Sequence, residues 1–283
     1  MYFITFSRMM GAHGPEIARR VADQLGYSFY DTEAIERVAR EMGFLKDVKE
    51  ADEKVPSLFQ RFFSHQPEIH LDRLYSVIYE LASRGDAVFL GRGGHTLLRA
   101  FKCALHIRVI ASLEKRIQHL EERGLVKGEA IQAIRISDHE RGAFIKLAFG
   151  LDWDNPELYD IILNMDNLTV DLAVDTVLHM ARTEEIKGRS RDVMKSLEMM
   201  GLARRVEAAL LEAELGYPSS LVSISVLEPG KIRLTGFLEA KWDKERVERI
   251  LKGVKGLQSI DNQTRVRPAM PPPGGRIFVE RNK

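Results

Sequence analysis

Short apolar runs alternate with amphipathic helical stretches through most of this chain, and that alternation leaves few folds open. "YFITF" (residues 2–6), "AVFLG" (87–91), "ALHIRVI" (104–110) and "DIILN" (160–164) are continuous runs of strand length. A strand that is apolar on both faces must be covered on both faces. Between the runs, "GPEIARRVADQLG" places Ile17, Ala18, Val21 and Leu25 on one helical face and closes on Gly26. "YSFYD" (27–31) reads as a further strand and "TEAIERVAREMG" as a further helix. "HLDRLYSVIYELASRG" (70–85) repeats Leu71, Leu74, Tyr75, Ile78 and Leu81 at helical spacing. Strands separated by helices predict an α/β fold, a mostly parallel sheet with helices on both faces. Ligands of such sheets bind beyond the carboxyl ends of the strands. The chemistry is therefore expected at Ser7–Gly14, Asp31, Gly91–Gly93 and Asn164–Asp166.

With 283 residues, the chain has room for two domains. Lys+Arg 42 against Asp+Glu 41 leaves a formal charge of +1, so no global field draws it to nucleic acid, and no nucleic-acid partner is expected. The one cysteine, Cys103, sits in a buried-strand pattern and reads as core. The N-terminal apolar stretch is too short for an export signal or a membrane span and has no basic lead, so cytoplasm is the expected compartment. The histidines show no zinc-ligand spacing. Residues 44–69 and 112–150 are candidates for flaps over a site. The pattern changes near residue 186, where "KGRSRDVMKS" is basic and polar. The expected organisation is residues 1–185, a linker over 186–200, a small α+β domain over 201–268, and a loose Pro- and Gly-rich tail over 269–283.

"FSRMMGAHGPEIARRVADQLG" (6–26) runs from a strand end through glycines into a helix. Such a junction presents free backbone N–H groups at the positive end of the helix dipole, which suits phosphate. Ser7, Gly11, Ala12, His13, Gly14 and Glu16 are the candidate binding residues, with Gly11 and Gly14 expected to let the backbone curl. The full GxxxxGK(S/T) pattern is absent, so an ordinary glycine-containing turn stands beside the phosphate-loop reading.

Four pieces in order widen the signal: "FSRMMGAHGPEIARRVADQLGYSFYD", "FLGRGGHTLLR", "IASLEKRI" and "SDHERGAFIKLAFGLDWDNPELYDIILN". Together they resemble the cytidylate kinase-like family, relatives of the nucleoside monophosphate kinases. The resemblance implies a P-loop kinase-type core, ATP with Mg²⁺ as phosphate donor, and a nucleoside monophosphate, CMP among them, as the nucleotide substrate. "GAHGPEIA" lies where cytidylate kinases carry a "GSGKGT"-type loop and where the cytidylate kinase-like branch reads "GSGGREIA". Gly14 takes the place of the lysine, Glu16 that of the magnesium-binding hydroxyl, and Pro15 that of the branch's arginine. A missing cation at the transferring phosphate costs about 3–4 kcal/mol of transition-state stabilisation by analogy with one lost oxyanion donor, or about two to three decades in rate. Arg8 and the flap arginines Arg135 and Arg141 are the candidate compensating, catalytic cations, beside the bland reading of a charged helix for the latter two. Glu16 is either a metal ligand or an acid favoured by the helix dipole.

On the acceptor side, "YDTEAIER" is similar to the "LDSGAIYR" stretch of these kinases, which implies substrate contacts for Asp31, Thr32 and Arg37; helix capping and a solvated face are the alternatives. "GRGGHT" resembles "GRDIGT", placing Arg92 against the acceptor phosphate and Gly93 where an aspartate would contact the nucleoside. Trp153 and Tyr159 read as packing at the sheet edge rather than as base-stacking groups. Residues 201–267 resemble a BON domain through "ARRVEAALL", "VSISVLEPGKIRLTGFLEA" and "VERILKGVKGLQSIDN". That implies a small module with weak phospholipid or protein contacts. Three functions stand open: a phosphotransferase, a catalytically degenerate nucleotide-binding sensor, and a scaffold acting through the BON part.

Overall fold

The structure is a computed structural model that describes residues 3–42, 67–183, 193–213, 221–238 and 241–266. Its centre is β1 (Phe3–Arg8), flanked by β3 (Ala87–Leu90) on one side and β4 (Ala104–Ile110) on the other. With β2 (Ser28–Tyr30) and β5 (Ile161–Asn164) outermost, the sheet order is β2-β3-β1-β4-β5, parallel throughout. The chain leaves β1 toward one edge and later returns on its other side. The loops after β1 and β3 therefore open into one crevice, where such sheets bind ligands.

Period-two alternation along β1 sends Ile4 and Phe6 to one face and Phe3 to the other. The first face is closed by α1 (Gly14–Leu25) and α7 (Val170–Ala181), whose Ile17, Val21, Val174 and Val177 are fully buried. The second face is closed by α2 (Thr32–Glu41), α3 (Pro67–Ser83) and the short α4 (Gly94–Leu97). Each fully buried Ile, Leu or Phe in these layers contributes about 1.5–3 kcal/mol relative to exposure. Cys103 is buried among them. Residues 113–149 form α5 (Leu113–Glu122) and the longer α6 (Lys127–Phe149), with Ile117, Leu120, Ala130 and Ile134 packed between them.

The C-terminal region is a second, smaller sheet in which β7 (Lys231–Leu238) pairs antiparallel with β6 (Leu221–Glu228) and parallel with β8 (Ser259–Asn262) and β9 (Arg265–Val266). Gly230 turns the hairpin at φ 78°. Ile232 and Leu234 are buried against α8 (Val193–Glu212) and α9 (Lys241–Leu251).

The expected linker over 186–200 differs in its second half. Residues 193–200 are the first turns of α8, and Val193 and Leu197 are buried in the core of the large domain beneath α3. Val193, Leu197 and Met200 recur at i, i+4 and i+7, a helical signal hidden by the polar run "KGRSRD" that precedes it. The same helix then places Leu202, Val206 and Leu210 in the core of the small domain. Ion pairs join α8 to α3: Arg73 with Glu212, Arg204 with Asp72 at 3.2 Å, and Arg205 with Glu80 at 4.0 Å. Residues 44–66 of the first expected flap, residues 186–192 of the linker and the tail over 269–283 lie outside the described residues. Among the described residues, no helix is long and apolar enough to cross a membrane. Leu197→Ala, a truncation in the small domain's own helix, is expected to destabilise the large domain by about 2–5 kcal/mol. Denaturant unfolding followed by fluorescence of Trp153, in a Trp242→Phe background, checks this; an unchanged midpoint would contradict the shared core.

Candidate functional site

The loop between β1 and α1 is shaped by two left-handed residues and one close contact. Gly11 sits at φ 81°, and a Cβ there would come within 2.8 Å of the Arg116 carbonyl. His13 caps α1 at φ 60°, a conformation unusual for a side-chain-bearing residue. Gly14 has an ordinary helical backbone; any side chain there would collide with the stem of Arg8. The curl expected of Gly11 and Gly14 is thus carried by Gly11 and His13, and Gly14 serves close packing. Three loop amides are engaged inside the protein: Met9 N–H to the Val109 carbonyl at 3.0 Å, Met10 N–H to Asp138 at 3.1 Å, and Ala12 N–H to the Met9 carbonyl at 3.4 Å. Those of His13, Gly14 and Glu16 have no intrahelical acceptor, as at any helix start. His13 and Glu16 border a cavity of about 660 Å³ that also touches Arg8, Arg20, Arg123 and Arg141. The His13 and Glu16 side chains line this cavity, pair with each other at 3.2 Å and are 30% and 52% exposed, and the His13 ring packs on His119 with centroids 3.7 Å apart.

The loop is braced from α6. Asp138 accepts from Met10 N–H, ion-pairs with Arg116 and lies 3.5 Å from Arg141. Arg116 also donates to the Met10 carbonyl at 3.4 Å.

A second cavity of about 290 Å³ lies beyond β1 and β3, lined by Arg8, Thr32, Arg92, His95, Arg141 and Trp153 among others. Arg8 and Arg141 line both cavities. The Arg8 guanidinium lies against Gly91, which is left-handed at φ 80° and has no room for a side chain. Burial, then Arg141 and Arg92, push the Arg8 pKa down to about 9, which leaves it cationic at neutral pH. Burial also lowers those of Arg92 and Arg141, which are offset by Glu36 and Asp138. Arg92 reaches Glu36 at 3.1 Å. Three guanidinium groups in one desolvated corner raise the free energy of the empty site, and a bound anion would relieve it.

The remaining candidates are dispersed. Ser7 is buried and accepts from Trp153 Nε1 at 2.7 Å while lining the second cavity. Ala12 is fully buried. Asp31 caps α2 through the Ala34 N–H at 3.0 Å and pairs with Arg19 at 3.4 Å; Thr32, next to it, faces the cavity. Arg37 and Arg135 are exposed on their helices and line neither cavity. Trp153 and Tyr159 pack around the buried Arg108, whose guanidinium lies 4.2 Å over the Trp153 ring. The Phe149 ring would be 2.6 Å from a Cβ at Gly93, so this chain has no space for an aspartate there. Sequence reasoning missed the roles of Asp138, Arg116, Arg108 and His95. For Arg108 the signal was visible, a charge inside the apolar run "ALHIRVI".

Among the described residues, no cluster of three or more His, Cys, Asp or Glu side chains is arranged to hold a metal. Mg²⁺ at phosphate sites needs only one or two carboxylates beside phosphate oxygens. The half-exposed Glu16 carboxylate at the cavity mouth fits that donor set.

Residues 3–167 match the cytidylate kinase-like family, and residues 201–268 match the BON domain. Cytidylate kinase of Ignicoccus hospitalis is 22% identical over 183 residues, covering 64% of this chain and 99% of that enzyme. A 92-residue stretch, 32% of the chain, is 29% identical to uronate isomerase of Corynebacterium glutamicum but spans only 18% of that enzyme's length. Among solved structures, an uncharacterized protein from Eubacterium ventriosum superimposes with a TM-score of 0.52 at 18% identity, over 64% of this chain and 97% of that one.

Asp138→Asn should cost about 1.5–3 kcal/mol, the range for hydrogen bonds to a charged partner, because it weakens the Arg116 and Met10 contacts together. Chemical denaturation measures this; a loss below about 0.5 kcal/mol, the range of a plain surface substitution, would refute the brace.

Proposed function

Since the chain belongs to the cytidylate kinase-like family, we propose that it is a P-loop phosphotransferase that moves the γ-phosphoryl group of ATP to a nucleoside monophosphate or a related small phosphorylated acceptor. The observation that carries this reading is the position of Arg8 and Arg141, which line the phosphate-loop cavity and the second cavity at once. A group crossing between the two would pass them.

In this reading the N–H groups of His13, Gly14 and Glu16 hold the donor's phosphates at the positive end of α1. Glu16 would hold Mg²⁺, which when bound would supply neutralising charge at the phosphate oxygens. Arg92, fixed by Glu36, and Thr32 hold the acceptor's phosphate. An oxygen of that phosphate attacks the γ-phosphorus as the bond to the β–γ bridging oxygen breaks, and ADP leaves. Arg8 and Arg141 stay cationic and fixed, stabilising the charge in flight and taking over the contact a loop lysine would make. The walls of Phe144, Trp153 and Ile145 limit water as a competing acceptor. The BON domain adds exposed Arg249, Lys252 and Lys255, a weak site for an anionic phospholipid surface worth about 1 kcal/mol per charge.

A second reading, binding without transfer, is favoured by Gly14 and Pro15 standing where relatives carry cations. ADP formation across a panel of phosphorylated acceptors separates the two. A melting shift with ATP–Mg, about 2.7 kcal/mol at a hundredfold excess over Kd, but no ADP with any acceptor, would favour the sensor. Arg8→Ala is expected to lower kcat/KM by about two to three decades. Arg8→Lys should restore part of that loss, because it keeps the charge and loses the fork. Unchanged turnover in Arg8→Ala would remove Arg8 from the mechanism.

A further inference from the structure

His95 follows Arg92 and Gly93 on α4, is only 3% exposed, and lines the second cavity beside the arginines. Its ring is held against Tyr159, with centroids 5.1 Å apart and 29° between planes. Its Nε2 is buried and has no hydrogen-bond partner among the described residues. Buried polar atoms in folded proteins nearly always have one, so a buried orphan on a side chain that lines a cavity points to a ligand group. The groups facing the ring from neighbouring elements are His106 and Arg108 of β4 and Arg99, with no carboxylate among the groups that set its charge. Burial first, and those neighbours after it, hold the imidazole neutral, with a pKa down to about 3. A neutral imidazole offers one donor and one acceptor and no charge. It is therefore unsuited to gripping a phosphate dianion, which Arg8, Arg92 and Arg141 already serve. Gly93, two residues earlier at the cap of α4, has φ 72°, and a Cβ there would lie 2.6 Å from the Phe149 ring, so a polar side chain there is disfavoured.

We propose that His95 determines acceptor specificity, its Nε2 hydrogen-bonding an uncharged hydroxyl or ring nitrogen of a phosphate monoester whose phosphate rests on the arginines. The proposal rests on the second cavity being the acceptor site. It assigns the reading of the acceptor's neutral part to a residue other than the one that faces the nucleoside in relatives.

Calorimetry on the full chain tests it with three probes: CMP, ribose 5-phosphate and inorganic phosphate. His95→Phe keeps a ring against Tyr159 and removes both nitrogens; His95→Gln returns an amide near the Nε2 position. CMP or ribose 5-phosphate, whichever binds more tightly than inorganic phosphate, should lose about tenfold or more in affinity in His95→Phe and recover most of it in His95→Gln. Inorganic phosphate and ATP–Mg should bind both variants as they bind the wild type. Loss for CMP identifies a nucleoside acceptor, and loss for ribose 5-phosphate with none for CMP a sugar phosphate. Should His95→Phe fail to fold, His95→Asn, whose amide reaches only the Nδ1 position, takes its place with the same expected loss. Equal losses for ester and inorganic phosphate, no loss for either ester, or no preference of the wild type for an ester would each overturn the proposal. Those outcomes leave the phosphotransferase reading standing if ADP still forms; a wild type that binds neither ATP–Mg nor any phosphate defeats both.

Discussion

Three half-buried guanidinium groups, those of Arg8, Arg92 and Arg141, repel one another, and much of the fold serves to keep them together. The parallel pairing of β1 with β3 sets Arg8 beside Gly91, where the absence of a side chain makes room for the guanidinium. Glu36 on α2 and Asp138 on α6 supply the opposing charges. Neither carboxylate reaches Arg8, whose Nε has no partner among the described residues. Such a corner is costly when empty and selective when filled, because only an anion satisfies all three cations together. It is preorganised by packing, so little reorganisation is needed when charge arrives.

The altered phosphate loop is explained by the same corner. Gly14, in the lysine's place, is the point where α1 packs on the stem of Arg8. A lysine there would displace the arginine. In the proposed reading Arg8, which enters from the strand instead of the helix and lines both cavities, serves where a loop lysine would. The loop keeps its helix-start amides, which depend on backbone shape and not on side-chain identity.

The sheet, the helices covering it and the glycine loop were legible in the sequence because each is set by local periodicity or by residues a few positions apart. The site was legible only in part. Arg8, Arg92 and Thr32 are adjacent to strand ends, and the doubly wound pattern already points there. Asp138 contacts Met10 across 128 positions, and Trp153 contacts Ser7 across 146, pairings that no local pattern announces. Arg37 and Arg135 fall on exposed helix faces. For Arg37, the burial of Ala34, Ile35 and Val38 sets the phase of α2, and a motif correspondence does not carry that phase. The start of α8 was masked by the basic, polar run that precedes it: "KGRSRD" leads directly into Val193, and the apolar residues after it were read with that run.

That helix also decides how the chain can be divided. The two family segments meet somewhere between residues 167 and 201, yet the helix begun at Val193 ends at Glu212, inside the second of them. A recombination event that imported the C-terminal unit from residue 201 onward would arrive with half a helix and leave the recipient's α3 with an uncovered flank. The unit of inheritance and the unit of folding are offset by about two turns of helix. Exchange of this module between genes would therefore succeed only where the donor segment carries its own approach to the kinase core.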